Sequence, residues 1–126
     1  MRYILLLTMT LTGCACPFLK KSTKAYPQNT ANHLKNTLEL TAKKTAPLAR
    51  VDGIKVGGIP GTAQAITPDG KYASNKYWTM FAGFFPLENP KYVCLVVVNE
   101  ANVKSEFNYG ALVAAPIFSE ISKKIY

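Results

Sequence analysis

Residues 92–99 read Tyr-Val-Cys-Leu-Val-Val-Val-Asn, an unbroken apolar run dominated by β-branched side chains. A run this short between turn-forming residues predicts a central β-strand buried on both faces. Such a strand needs neighbours, and the chain offers two. Tyr77 to Phe85 is aromatic and β-prone, closed by Pro86-Leu87-Glu88-Asn89-Pro90. Ile54 to Ala65 reads as a Gly-rich strand, followed by the turn signal Thr67-Pro68-Asp69-Gly70. Cys94 is then a buried core thiol, inert for want of exposure.

Helical periodicity brackets these strands. Over Thr30 to Lys44, Leu34, Leu38 and Ala42 recur every four residues and share a face with Ala31 and Thr41. Thr30 or Asn29 is the expected N-cap, and Pro47 ends the helical region. Residues 22–30 are polar and read as a loop, and Asp52-Gly53 marks a turn. From Tyr109 to Tyr126, the residues Leu112, Ala115, Phe118, Ile121, Ser122 and Ile125 form the inner stripe of a closing helix. The expected fold is α+β: an antiparallel sheet of about three strands flanked by an N-terminal and a C-terminal helix, with at least one open edge.

Composition narrows the function classes. A chain of 126 residues, 48% hydrophobic and 17% charged, suits one folded domain. No apolar run approaches the roughly 20 residues of a membrane-spanning helix. The net charge is +8. Residues 1–60 carry nine Lys and Arg against Glu39 and Asp52, whereas residues 61–126 carry six against five. The pairs Lys20-Lys21, Lys43-Lys44 and Lys123-Lys124 are dispersed and lack interleaved aromatics, which argues for solvated surface and against nucleic-acid binding. One His and three scattered Cys (Cys14, Cys16 and Cys94) suit neither a zinc cage nor a disulfide framework, so no metal or cofactor is expected. His33, near a helix start, reads as a surface or packing residue.

The first residues allow two readings. Met1-Arg2 is a positive start, Tyr3 to Leu11 a short apolar core, and Thr12 and Gly13 are small, which is the layout of an export leader. Leu11-Thr12-Gly13-Cys14 resembles the lipobox of bacterial lipoproteins, which would make Cys14 an acylated residue at a membrane surface. The other reading makes the same residues the interior of a domain. Residues 1–21 are therefore set apart as leader or domain interior, and 22–126 as the folded body.

The body carries ordered motifs. The row runs Gly53-Ile54-Lys55-Val56-Gly57-Gly58-Ile59-Pro60-Gly61-Thr62-Ala63-Gln64, then Tyr72, Phe81-Ala82-Gly83-Phe84-Phe85-Pro86, Asn89-Pro90, and Val93 to Val98. It ends on Tyr109-Gly110-Ala111-Leu112-Val113-Ala114-Ala115-Pro116-Ile117-Phe118. In that order and spacing it resembles the C-terminal part of the transpeptidase domain of penicillin-binding proteins, the monofunctional division and elongation type. Pro17 to Lys21 and the first helix resemble the same domain more loosely.

The resemblance implies a partial serine β-lactamase-like fold, at the outer side of a bacterial membrane, in peptidoglycan synthesis. Family chemistry uses a Ser nucleophile with a Lys three residues on, a Ser-x-Asn loop, and a Lys-Thr-Gly strand that lays out the substrate. No Ser in this row has Lys three positions later, and no Ser-x-Asn occurs. Ile59 stands at the Lys position and Pro60 at the Thr position, so ammonium and hydroxyl are both replaced. Gly61 survives, and Thr62 holds the position whose main chain contacts the acyl group in the family.

The expected substrate-lining residues are thus Ile59, Pro60, Gly61 and Thr62, with no catalytic residue and weak or no binding of stem peptide or β-lactam. The chain reads as a truncated or degenerate domain, inactive alone, with a division or elongation protein as partner. The alternative is a small basic envelope lipoprotein acting as an interaction module.

Overall fold

The computed structural model describes residues 2–10, 27–99 and 109–126, with 2–10 described by backbone path and strand pairing. The order is β1 (Arg2–Thr10), α1 (Gln28–Thr45), a 3-10 turn at Pro47–Ala49, β2 (Gly57–Ile66), β3 (Tyr72–Phe85), β4 (Tyr92–Asn99) and α2 (Gly110–Ile125). The strands form one antiparallel sheet in the order β1-β4-β3-β2. The α+β architecture matches the sequence expectation, but the sheet has four strands among the described residues. The extra one is the apolar stretch that resembles a leader. Pro17 to Lys21, Cys14 and Cys16 lie outside the described residues.

Register sorts the side chains, because directly opposed residues in an antiparallel pair share a face. Phe81, Gly83 and Phe85 of β3 lie with Cys94 and Val96 of β4 on the inner face. All five are buried, and α2 packs across them. Phe118 of α2 meets Phe81 at 4.8 Å between ring centroids and Phe85 at 5.8 Å, edge-on. Gly83 makes room for this: a Cβ there would lie 2.7 Å from the Phe118 ring. Burial pushes the Cys94 thiol above its ordinary pKa, in keeping with an inert core thiol.

The outer face is different. Ile59, Met80, Trp78, Ala82, Phe84, Val93, Leu95 and Val97 occupy it by register. Ile59 is 52% exposed, Trp78 43% and Val93 42%, so β4 is buried on one face and not on both. Both helices are engaged elsewhere: α2 on the inner face, α1 along β2 and the 3-10 turn.

The helices also depart from their predicted stripes. In α1 the buried position is Ala42, followed by Ala46 at its end, while Leu34 is 56% exposed. A helix packed on one strand has a narrow contact, and small side chains there bring it close. The N-cap is Pro27, without a side-chain hydrogen bond, rather than Thr30 or Asn29. In α2 the buried residues are Gly110, Ala114, Ala115, Phe118, Ser119 and Ser122, with Leu112 and Ile125 left outside. The turn behaves as its residues predict: Thr67 N–H donates to the Lys71 carbonyl at 2.7 Å, and Gly70 has φ +80°.

Candidate functional site

β2 is an outermost strand of the sheet, and its glycines are filled by β3. Phe84 lies over Gly57, Phe81 against Gly58, and Met80 against Gly61, where a Cβ would sit 2.8 Å from the Met80 Cγ. Ile59, Pro60, Gly61 and Thr62 follow one another opposite Ala82, Phe81, Met80 and Thr79. The four residues expected from sequence therefore sit together on one strand. Pro60 has no N–H to give, and an outermost strand tolerates it where its nitrogen points away from the ladder. Alternation then turns the main-chain groups of Gly58 and Thr62 away from β3 as well.

The start of α2 closes one side of this strand. Gly110 N–H donates to the Thr62 Oγ1 at 2.9 Å. Gly110 also lies directly on the backbone: a Cβ there would run into the carbonyl oxygens of Met80 and Gly61. Sequence reasoning missed this docking of helix onto strand. A Gly at the first turn of a helix permits such an approach without marking it.

Thr45, Pro60, Gly61, Thr62 and Tyr109 to Leu112 line an open concavity of about 440 Å³. Among the described residues no carboxylate, Lys or His lines it, and its wall offers hydroxyls and main chain. A second concavity of about 680 Å³ includes Lys43, Arg50, Asp52 and Lys55 in its wall. Its cations are paired: Lys43 with Glu39 at 2.6 Å, Lys55 with Glu88 at 3.0 Å. The hydrogen bond and charge of Glu88 hold the Lys55 ammonium above its usual pKa, the wrong direction for a base.

The two buried serine hydroxyls of α2 have structural partners. Ser119 Oγ donates to the Arg50 carbonyl at 2.6 Å, and Ser122 Oγ to the Phe118 carbonyl at 2.8 Å. Among the described residues, no three His, Cys, Asp or Glu come together as metal ligands. What the described residues offer here is an extended strand on the edge of the sheet.

Comparison with known proteins agrees in kind. The model of the penicillin binding protein transpeptidase domain matches residues 19–123. The stage V sporulation protein D of Bacillus subtilis is 37% identical over 108 residues, covering 85% of this chain and 16% of that protein. The peptidoglycan D,D-transpeptidase FtsI homolog of Chlorokybus atmophyticus is 41% identical over 75 residues, covering 60% of this chain and 11% of its own. Among solved structures, the apo transpeptidase domain of Burkholderia pseudomallei penicillin-binding protein 3 superposes with a TM-score of 0.67 at 34% identity, covering 79% of this chain and 30% of that one. Penicillin-binding protein 3 of Mycobacterium tuberculosis, solved with ampicillin, gives 0.63 at 28% identity, over 77% of this chain and 23% of its own. The chain thus spans between about a tenth and a third of the proteins it matches.

Proposed function

This chain belongs to the penicillin binding protein transpeptidase family, and on that premise we propose that its residues form the substrate-lining segment of a peptidoglycan cross-linking fold without its covalent chemistry. The observation that carries the reading is β2. Gly61 and Thr62 keep the family's pattern on an outermost strand, while Ile59 and Pro60 replace the Lys and Thr. A charge-assisted hydrogen bond to a substrate carboxylate contributes about 1.5–3 kcal/mol, so stem peptide and β-lactam bind weakly at best.

The partner is a chain segment that carries the Ser-x-x-Lys and Ser-x-Asn motifs of such a domain, and the bare outer face of the sheet is the surface it would cover. The place of action is the outer side of a bacterial membrane, within the division or elongation machinery. That placement draws on relatives that are peptidoglycan transpeptidases. The pairing of Arg2–Thr10 with β4 supports residues 2–10 as part of the fold. Intact mass of the cellular product decides this: a chain beginning at Met1 agrees, and one beginning at an acylated Cys14 overturns it.

The test of the main reading is covalent labelling. Incubated with a fluorescent penicillin and run on a denaturing gel, the purified chain gives no labelled band. A stoichiometric band would show a working nucleophile and end the proposal.

A further inference from the structure

β1 is the one element that the family match, beginning at residue 19, leaves unused. It pairs with the whole of β4, from Arg2 opposite Asn99 to Thr10 opposite Tyr92. β4 is held by β3 and α2 as well, whereas β1 packs on β4. Without β1, an eight-residue strand of sequence Tyr-Val-Cys-Leu-Val-Val-Val-Asn would present an open row of main-chain donors and acceptors. A long, Val-rich open edge is a template for another strand.

We propose that the β4 edge is a strand-exchange site, at which residues 2–10 of a second copy of this chain replace the resident β1 in a reciprocal dimer. The proposal does not depend on the transpeptidase reading. Three observations carry it. First, β1 is attached through a ladder, and a ladder made by the same residues of another copy is chemically identical. Second, the middle of β1 is apolar in both alternating sets: Ile4 and Leu6 fall opposite Val98 and Val96, Leu5 and Leu7 opposite Val97 and Leu95. Pairing of such a strand is weakly specified, and the register already shifts between Arg2 and Ile4. Third, 17 residues separate Thr10 from Gln28, a contour of up to about 56 Å, enough to reach a neighbouring copy.

The tether also sets the conditions. A covalent link of 17 residues sets an effective concentration of the order of 1 mM for β1 beside its own β4. Exchange therefore shows itself when chains fold together at comparable concentration.

Two preparations of the full chain, carrying different C-terminal affinity tags, are mixed in urea and refolded together at about 0.5 mM, near that effective concentration. Dimers holding both tags are expected in size exclusion and sequential capture, and monomers after refolding at a hundredfold dilution. Leu5→Pro and Leu6→Pro then serve as a pair, because adjacent strand residues point their N–H groups to opposite sides. One of the two should lower the dimer yield at least tenfold and strip hydrogen-exchange protection from β4 while β2 and β3 stay protected. Its neighbour should do neither. Trp78→Lys, on the outer face, should leave the dimer intact. A chain that stays monomeric at every concentration overturns the proposal. So does a dimer that survives both Pro variants or disappears with Trp78→Lys.

Discussion

Thr79 shows how a single hydroxyl can be read against its surroundings. It sits on the inner face opposite Thr62, is fully buried, and its Oγ1 finds no hydrogen-bond partner among the described residues. A buried hydroxyl left unpaired costs about 1–3 kcal/mol relative to one that is satisfied. Across from it, the Thr62 Oγ1 accepts from the N–H of the buried Gly110 and spares that donor the same cost. Thr79→Val removes the orphan at nearly constant shape, so the midpoint of urea unfolding should rise, by about 1 kcal/mol in stability. Thr62→Val should lower it by a similar amount, since it strands the Gly110 N–H. Both outcomes are read from equilibrium unfolding curves, and a Thr79→Val variant weaker than the parent would refute the assignment. The four residues of the candidate strand were legible in the sequence because the motif keeps its order around two replacements. The Gly110 contact was not, since nothing local distinguishes a glycine docked on a sheet from one that merely starts a helix.

Elements follow the same logic at the next size up. α1 begins at Pro27, whose φ of −51° and ψ of 138° already suit an N-cap, yet no side chain bonds the free N–H groups of the first turn. Pro27→Ser keeps that backbone accessible and adds an acceptor, so stability should rise by about 0.5–1 kcal/mol. Helicity by circular dichroism and the unfolding midpoint check it; an unchanged midpoint would mean that the first turn is satisfied in another way. Three threonines farther along, Thr37, Thr41 and Thr45, each donate to the carbonyl four residues back, at 2.9, 2.9 and 2.6 Å, so the polar face of α1 spends its hydroxyls on its own backbone. Strand positions were readable from composition: Tyr92 to Asn99 has the bounds its Val run implies. Helix faces were less so. Periodicity marks which residues could share a face but not how wide a neighbour that face meets, and α1 meets one strand. Arg2–Thr10 allows two readings for a related reason, because a short apolar stretch behind a positive residue has the same composition as a leader and as a strand.

For the molecule as a whole, the asymmetry of the sheet governs behaviour. One face carries Phe81, Phe85, Cys94 and Val96 under α2, and these are fully buried. The other carries Ile59, Trp78 and Val93, each at least 42% exposed, with no charged residue among the eight outer-face positions from Ile59 to Val97 named above. Burying a Val, Leu or Ile side chain contributes about 1.5–3 kcal/mol, so a face left open forgoes much of the stability its sequence could provide. It also gives dyes and partners an apolar surface on a chain otherwise kept apart by a net charge of +8. The chain alone should therefore bind a hydrophobic reporter dye at neutral pH while native, and unfold at modest temperature. Placing polar residues at the three exposed positions, as Ile59→Thr, Trp78→Thr and Val93→Thr together, should cut the dye signal several-fold with far-UV circular dichroism retained. All three side chains lie outside the Phe118 cluster, so loss of the fold is not expected from their replacement. Native dye binding that persists in the triple variant would place the apolar surface elsewhere. A parent chain that binds no dye and melts sharply above about 60 °C, beyond the usual middle of the mesophilic range, would mean that the outer face is already covered.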